Sequence, residues 1–549
     1  MATVVTAARL RAKRLLRRSE PLVWLNAAAV SVSIIAVLGL LGLLAWHGLG
    51  YFWPRDITLY QLQGGAEPLL AEEVAVEQVP REQLLAAGYE IDDLGPTQQR
   101  LLLKRGNRDV AATDFVWLLR QQVLQVSVPL DAMRVEREEW GNLYGFLEAV
   151  LQDGTVVATT ASAPEATWER FQQALLSARN QRREIRRLER GEVLAISYQL
   201  ERLRRDGPHR LAEAAALEKD YEAILQRLTA LYAENARFSY QVRLSNGEQV
   251  TLPLGQVVRA IRPNRMSTWE KLGYYRLRVW EFLSAEPREA NTEGGVYPAI
   301  FGTVLMVLLM SIIVTPFGVL AAVFLHEVAG QGRITKVFRA AVNNLAGVPS
   351  IVYGIFGLGF FVYGVGGEVD RLFYYEALPS PTYGTPGIMW ASLTLALLTL
   401  PVVIVATEEG LARIPRAVRE GSLALGATRA ETLWRVVLPM ASPAMMTGVI
   451  LAVARAAGEV APLMLVGVVK LAPSLPVDGI FPYLHLEQKF MHLGFHIYDV
   501  GFQSPNIEAA RPLVYATALL LVVIIALLNF AAVTLRNRLR ERYSSLDAG

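Results

Sequence analysis

The chain has 549 residues, 52% of them hydrophobic, and a formal net charge of only +3. Its mean hydropathy of +0.29 is too apolar for an average soluble protein, and its length exceeds one ordinary domain. The weak net charge argues against nucleic acid as a partner. The absence of cysteine excludes disulfides, thiolate catalysis, zinc–thiolate sites and cysteine-held iron–sulfur clusters.

The N-terminal segment, 1–21, is basic and carries Arg9, Arg11, Lys13, Arg14, Arg17 and Arg18. Apolar stretches follow at 22–46, 299–325, 346–364, 386–407, 443–469 and 513–534. Crossing the hydrocarbon core takes roughly 20 mostly apolar residues at about 1.5 Å of rise each, so six spans are predicted. The first is too long for the apolar part of a cleaved signal peptide. Ala45-Trp46-His47-Gly48 is also a poor cleavage site, so the stretch reads as an anchor. Lys and Arg fall in alternate flanks: the N-terminus, then Arg333, Lys336 and Arg339, then Arg413, Arg416, Arg419, Arg429 and Arg435, then Arg536, Arg538, Arg540 and Arg542 in the C-terminal segment 536–549. The loop near Glu368, Asp370, Arg371 and Glu376 is net acidic. The positive-inside rule then places both termini in the cytoplasm.

Residues 50–295 lie between the first two stretches and read as a second, extracytoplasmic domain. Glu148 to Ala158 reads as two strands around Asp153-Gly154. Phe238, Tyr240, Val242 and Leu244 alternate, Asn246-Gly247 follows, and Val250, Leu252 and Leu254 resume, which predicts a hairpin with positive φ at both turn residues. Trp168, Phe171, Leu175, Ala178, Ile185, Val193, Ile196 and Leu200 share one helical stripe. Gly207-Pro208 breaks it, and Leu211, Leu217, Tyr221, Ile224, Leu228 and Leu231 resume it, so an antiparallel helical hairpin is expected. Its charged remainder fits a solvated face or a docking surface. The stretch Trp269 to Leu283, with Tyr274, Tyr275 and Trp280, has the composition of a membrane-interface helix. The expected fold class is an all-α polytopic membrane protein of six transmembrane helices. An α+β domain is inserted between helices 1 and 2, and helices 2–6 occupy 296–535.

The most specific pattern lies in the loop 408–442. Glu420-Gly421-Ser422 is followed after three residues by Gly426, and after nine more by Val436-Val437-Leu438-Pro439. This resembles the EAA loop of ABC importer permeases, with Gly421 and Ser422 for the two alanines and Val436 for isoleucine. A helix presenting an acid and two small side chains lets another protein's cleft approach its backbone. Gly426 permits a sharp turn, and Pro439 is expected to restart the chain toward the fifth span. The resemblance implies that Glu420, Gly421, Ser422, Gly426 and Pro439 couple to a separate ATPase. The chain has no Gly-x-x-x-x-Gly-Lys-Ser/Thr loop to cradle phosphates, so no cofactor is expected in it, and ATP and Mg belong to the partner.

Two further stretches, Asn344 to Gly354 and Thr447 to Leu463, resemble the high-affinity phosphate importer permeases, nearest the PstA type. The resemblance covers about 290–535 and leaves most of the insert unexplained. It implies a bacterial inner membrane protein with four kinds of partner. These are a PstC-like second permease subunit, a dimeric PstB-like ATPase, a periplasmic PstS-like phosphate-binding protein and membrane lipids. Beside that binding protein, the insert would help dock it or report its occupancy.

Arg455 and Glu459 stand out without any family, because a charge at the bilayer centre costs about 2.5–3.5 kcal/mol on insertion scales. At i and i+4 they can pair on one helical face. Two readings fit: a buried structural ion pair, or Arg455 contacting phosphate in transit while Glu459 moderates its field. The resemblance implies the second. Ser350 and Tyr353 are candidates to line the pathway, or to bond neighbouring helices. His326-Glu327 reads as an interfacial pair, and Pro316 and Pro401 as helix kinks or accommodated prolines. Competing readings of the whole chain are a permease for sulfate or molybdate, and a membrane receptor sensing through the external domain. Against the receptor, no cytoplasmic segment is long enough for an output domain. No metal-ligand cluster, nucleophile elbow or phosphate-cradling loop marks an enzyme.

Overall fold

The structure, a computed structural model, describes residues 20–89, 95–111, 113–205, 211–288, 291–329, 332–479, 481–504 and 507–544. The basic residues before 20, the Gly207-Pro208 break and the last five positions lie outside the described residues. Six described helices are long and apolar enough to cross a membrane: Val23–Gly50, Tyr297–Val328, Ser350–Phe373, Ile388–Ala412, Arg429–Gly458 and Ala510–Arg538. The fourth is the central one. Ala391, Leu395, Ala396 and Val403 on it are buried, and they pack with Met306, Met310 and Val314 of the second and Val449, Ala452 and Val453 of the fifth. Pro316 and Pro401 sit inside continuous helices. The first and last spans are the most exposed, and they meet near Gly48 and Ala516. There the rings of His47 and Tyr515 lie 5.2 Å apart, and a Cβ at Gly48 would come within 2.9 Å of the Ala516 backbone.

Two spans depart from the expected limits. The third runs to Phe373 and contains a ten-residue π stretch, Gly357–Gly366, whose Gly357 lets it approach Thr394 of the fourth. The fifth ends at Gly458 rather than near 469. The apolar residues after it are buried in protein instead of lipid. Pro439 does not restart the chain either. The π turn Leu433–Val437 precedes it, and the helix runs on through to Gly458. A local π adjustment of this kind re-satisfies the backbone carbonyl that proline's missing donor frees.

Between the first two spans in sequence lie two antiparallel sheets. One has the order β4-β3-β2-β1-β5, built from β1 (Ile57–Leu62), β2 (Leu69–Pro80), β3 (Thr97–Lys104), β4 (Phe115–Leu119) and β5 (Val123–Ser127). The other has the order β10-β9-β7-β6-β11, with β8 beside β7. Its strands are β6 (Met133–Arg137), β7 (Asn142–Gln152), β8 (Thr155–Thr159), β9 (Phe238–Arg243), β10 (Gln249–Pro253) and β11 (Val257–Ile261). Phe171, Ala174 and Leu175 of helix Pro164–Arg187 cover the second sheet, against Met133, Tyr240 and Val242. Beyond a π turn the helix continues as Leu194–Arg205 and returns as Leu211–Asn235. Ile185, Leu188 and Leu228 form the hairpin's core. The turn after β9 is not the expected type: Gly247 alone has positive φ (+87°), and Asn246 Oδ1 accepts from Glu248 N at 3.0 Å. The five residues Leu244–Glu248 leave room for that side-chain turn, so Asn246 need not adopt positive φ.

A buried charge network ties the two sheets to helix Thr268–Ser284, which leads into the second span. Arg134 of β6 donates to Glu72 of β2 at 2.9 Å and to the Tyr274 hydroxyl. Tyr274 in turn donates to Glu136 at 2.6 Å, and Arg278 reaches Glu136 at 3.1 Å. So Tyr274 faces this interior and not a membrane surface, while Trp269 and Trp280 of the same helix are exposed. Burial alone would push the Glu136 carboxyl up. The Arg278, Arg259 and Arg134 guanidiniums outweigh it and hold the group well below the usual carboxylate range. Removing one member strands the others uncompensated, a loss of about 3–5 kcal/mol. Glu136→Gln is therefore expected to lower the thermal midpoint of the detergent-purified chain by several degrees, read by intrinsic fluorescence. A double change of Glu136→Leu with Arg278→Leu should cost less than the sum of the two single changes.

Candidate functional site

A helix rising about 1.5 Å per residue carries Arg455 about 26 Å from Leu438, close to the full depth of a ~30 Å hydrocarbon core. Arg455 occupies the last turn of the fifth span. Glu459 is already outside the helix, with φ −78° and ψ 132°. The two side chains still meet, Nε to Oε1 at 3.5 Å, with 36% and 21% of their surfaces exposed. The expected pair exists, but it marks a helix end and not a continuous helical face.

The chain then turns through Pro462, which sits against Gly354 of the third span so closely that a Cβ there would meet the Pro462 Cα at 2.7 Å. Tyr353, next to Gly354, is buried and donates to the Leu345 carbonyl at 2.6 Å. Its hydroxyl is committed to the backbone, although it lies within electrostatic reach of Arg455. Ser350 is the first residue of helix Ser350–Phe356 and is half-buried. Arg455, Glu459 and Tyr353 are thus brought to one place, the crossing of the third and fifth spans.

After Glu459 the backbone is irregular through much of 459–503, yet it lies among the N-terminal ends of the second, fourth and sixth spans. It supplies what those ends lack. The Gly387, Ile388 and Met389 amides at the start of the fourth span donate to the carbonyls of Val466, Gln488 and Leu486 at 3.1, 2.9 and 3.0 Å. Leu493 N donates to Thr303 Oγ1 of the second span at 2.9 Å, and a Cβ at Gly302 would collide with the Met491 carbonyl. Sequence reasoning took this segment for part of the fifth span and an outer loop. Its signal was the apolar run after Gly458 ending in Gly467 and the Pro-rich stretch that follows.

Three buried groups in this segment lie outside any membrane-spanning helix. Asp499 accepts from Asn291 Nδ2 at 3.1 Å and pairs with Lys470 at 3.2 Å. His492 and His496 are almost wholly buried, and burial pushes them down to about 3 and about 4. Their ordinary value is 6.5. Below it an unfolded chain takes up protons that the folded chain refuses. Stability from these two groups is therefore full above pH 6.5 and drains away as pH falls toward 4. The thermal midpoint should drop across that window, and the drop should shrink in His492→Asn and His496→Gln. An unchanged pH profile in both variants would refute this.

On the opposite side, helix Arg416–Ala424 carries Glu420, Gly421 and Ser422 and has no buried residue. Gly426 follows with φ +90°, the left-handed turn that closes the helix. Glu420 and Leu425 are exposed, while Ser422 Oγ lies 2.9 Å from Thr432 Oγ1. Arg419, which sequence reasoning counted only as a positive flank, anchors this helix. It pairs with Glu327 at the end of the second span at 2.9 Å and donates to the Leu411 carbonyl of the fourth at 2.9 Å. Glu327 also lies 3.1 Å from His326. Among the described residues, no group of three or more possible ligands is placed to hold a metal ion.

A family model described as the inner membrane component of binding-protein-dependent transport systems matches residues 314–544. The phosphate transport system permease protein PstA 1 of Mycobacterium tuberculosis is 35% identical over 245 residues, 44% of this chain and 71% of that protein. The probable ABC transporter permease protein YqgH of Bacillus subtilis is 34% identical over 203 residues, 36% of this chain and 62% of YqgH, so the chain spans less than two thirds of that relative's length. A solved structure of the MetNI methionine ABC transporter superposes with a TM-score of 0.32 at 20% identity, covering 44% of this chain and 94% of that one.

Proposed function

The chain belongs to the family of inner membrane components of binding-protein-dependent transport systems, and from that premise we propose that it is the PstA-type permease subunit of an ATP-driven importer of inorganic phosphate. The substrate rests on the 35% identity to a protein named for phosphate transport. The geometry that suits it is the Arg455–Glu459 pair at a broken transmembrane helix. The C-terminal end of a helix carries about half a negative charge. That dipole and Glu459 together offset the guanidinium, so a passing phosphate is attracted to Arg455 without being trapped there. Tyr353 and Ser350 complete the surroundings of the path, Tyr353 by holding the third span in place.

In this reading both termini are cytoplasmic and the two-sheet region is periplasmic. The partners are a related second permease subunit, a dimeric ATPase that holds ATP and Mg, and a periplasmic phosphate-binding protein. The surface Glu420, Gly421, Ser422 and Gly426 receives the ATPase, and Arg419 passes its movement to the second and fourth spans.

In proteoliposomes with all partners, Arg455→Gln is expected to cut phosphate uptake by about tenfold or more. Glu459→Gln is expected to raise retention of phosphate while slowing uptake. Normal uptake by both variants, with normal assembly on size exclusion, would remove the pair from the pathway. Competition by sulfate or molybdate at equal concentration would overturn the choice of phosphate.

The Arg419–Glu327 pair is partly exposed, so its loss costs the fold only about 1 kcal/mol or less. Arg419→Ala should leave the complex assembled and its basal ATPase rate intact. Transport per ATP hydrolysed should fall several-fold. An unchanged ratio would refute the coupling role.

A further inference from the structure

A cavity of about 520 Å³ lies where the two sheets meet the outer end of the last span. Tyr51 and Trp53, just past the first span, form one wall, and Pro512 and Leu513 of the last span form another. Its charges are nearly matched. Lys104 pairs with Glu293 at 3.4 Å, Arg108 with Asp114 at 2.7 Å, Arg134 with Glu72 at 2.9 Å and Arg278 with Glu136 at 3.1 Å. Arg55 is the further cation of the lining. It donates to the Glu73 carbonyl at 2.6 Å and meets no carboxylate among the described residues. The lining therefore carries one net positive charge.

Two polar side chains on this lining are more than nine-tenths buried and incompletely bonded. Arg134 Nε is a donor without an acceptor, and Asn142 Oδ1 is an acceptor without a donor. They belong together. Asn142 pairs across the ladder with Glu136, two residues along β6 from Arg134, so all three side chains stand on one face of the sheet. Buried polar atoms in native proteins are almost always satisfied, by protein, water or ligand. A cavity with a surplus cation, an orphaned N–H and an orphaned carbonyl oxygen matches one chemistry: an oxyanion that also carries a hydroxyl.

We propose that this cavity is a binding site for a hydroxyl-bearing phosphate group, separate from the Arg455 pathway. An anionic oxygen would take the Arg134 Nε–H and the Arg55 guanidinium, and the hydroxyl would donate to Asn142 Oδ1. Two sources carry that chemistry: free hydrogen phosphate, and the headgroup of a glycerol phospholipid at the membrane surface. Both walls bear on it, so an occupant would bridge the sheets and the last span. The proposal does not depend on the transport reading.

The test uses the full chain without its ATPase. In one arm, nanodiscs of phosphatidylcholine alone are titrated with radiolabelled inorganic phosphate. In the other, the detergent-purified chain is titrated with phosphatidylglycerol and examined by native mass spectrometry. Saturable binding in either arm is expected, and the arm that responds names the source. Arg55→Gln and Asn142→Leu should each weaken it by about tenfold, while Arg455→Gln leaves it unchanged. Arg55 is not fully buried, so its variant keeps the fold even where Asn142→Leu does not. The proposal is overturned if neither probe binds, if Arg55→Gln binds like the unaltered chain, or if binding is lost with Arg455→Gln instead.

Discussion

Inside a bilayer no water is available to a backbone amide or carbonyl, so irregular chain is tolerated there only where protein satisfies it. The segment after Gly458 shows what this requires. It lies beside helix ends that carry free amides, and its own carbonyls of Val466, Leu486 and Gln488 take those amides up. The fourth span starts correctly because the fifth stops early. The Arg455–Glu459 pair follows from the same constraint, since a helix that ends within the protein leaves a carbonyl-rich terminus where a cation is favoured.

The opposite side uses a different solution. Helix Arg416–Ala424 buries none of its side chains fully, and Val418 alone of its apolar residues packs against the cluster of Leu411, Ile414 and Val437. Polar attachments add to that contact, Arg419 to Glu327 and to the Leu411 carbonyl, and Ser422 to Thr432. A mostly exposed helix is thereby tied to the second and fourth spans at a few directional points.

Hydropathy located six membrane helices because lipid-facing and protein-facing apolar residues count alike. For that same reason it ran the fifth through to 469, where Leu463 and Val466 are buried against protein. The helical hairpin and the strands around Gly154 and Gly247 were legible from period and turn residues. Strands β1–β5 were not. Register shifts between Gln61 and Leu62, and between Glu73 and Ala75, interrupt the two-residue alternation that would announce them. The buried charges Glu72, Arg134 and Glu136 look like surface residues in the sequence, and only the fold reveals that they neutralise one another. Arg419 was visible as a charge but not as an anchor, because its partners lie on other spans. Arg455 and Glu459 were conspicuous in the sequence because Arg and Glu inside an apolar run stand out whatever the helix limits.

The contact of the first span with the last has a consequence for biogenesis. His47 finds Tyr515 only after about 470 further residues are made, which at roughly 5–20 residues per second takes about 20–90 s. Throughout that interval the first helix lacks this partner, while the sheets, which have cores of their own, can fold. The contact that joins the first described span to the last is thus made after the sheets can already have folded.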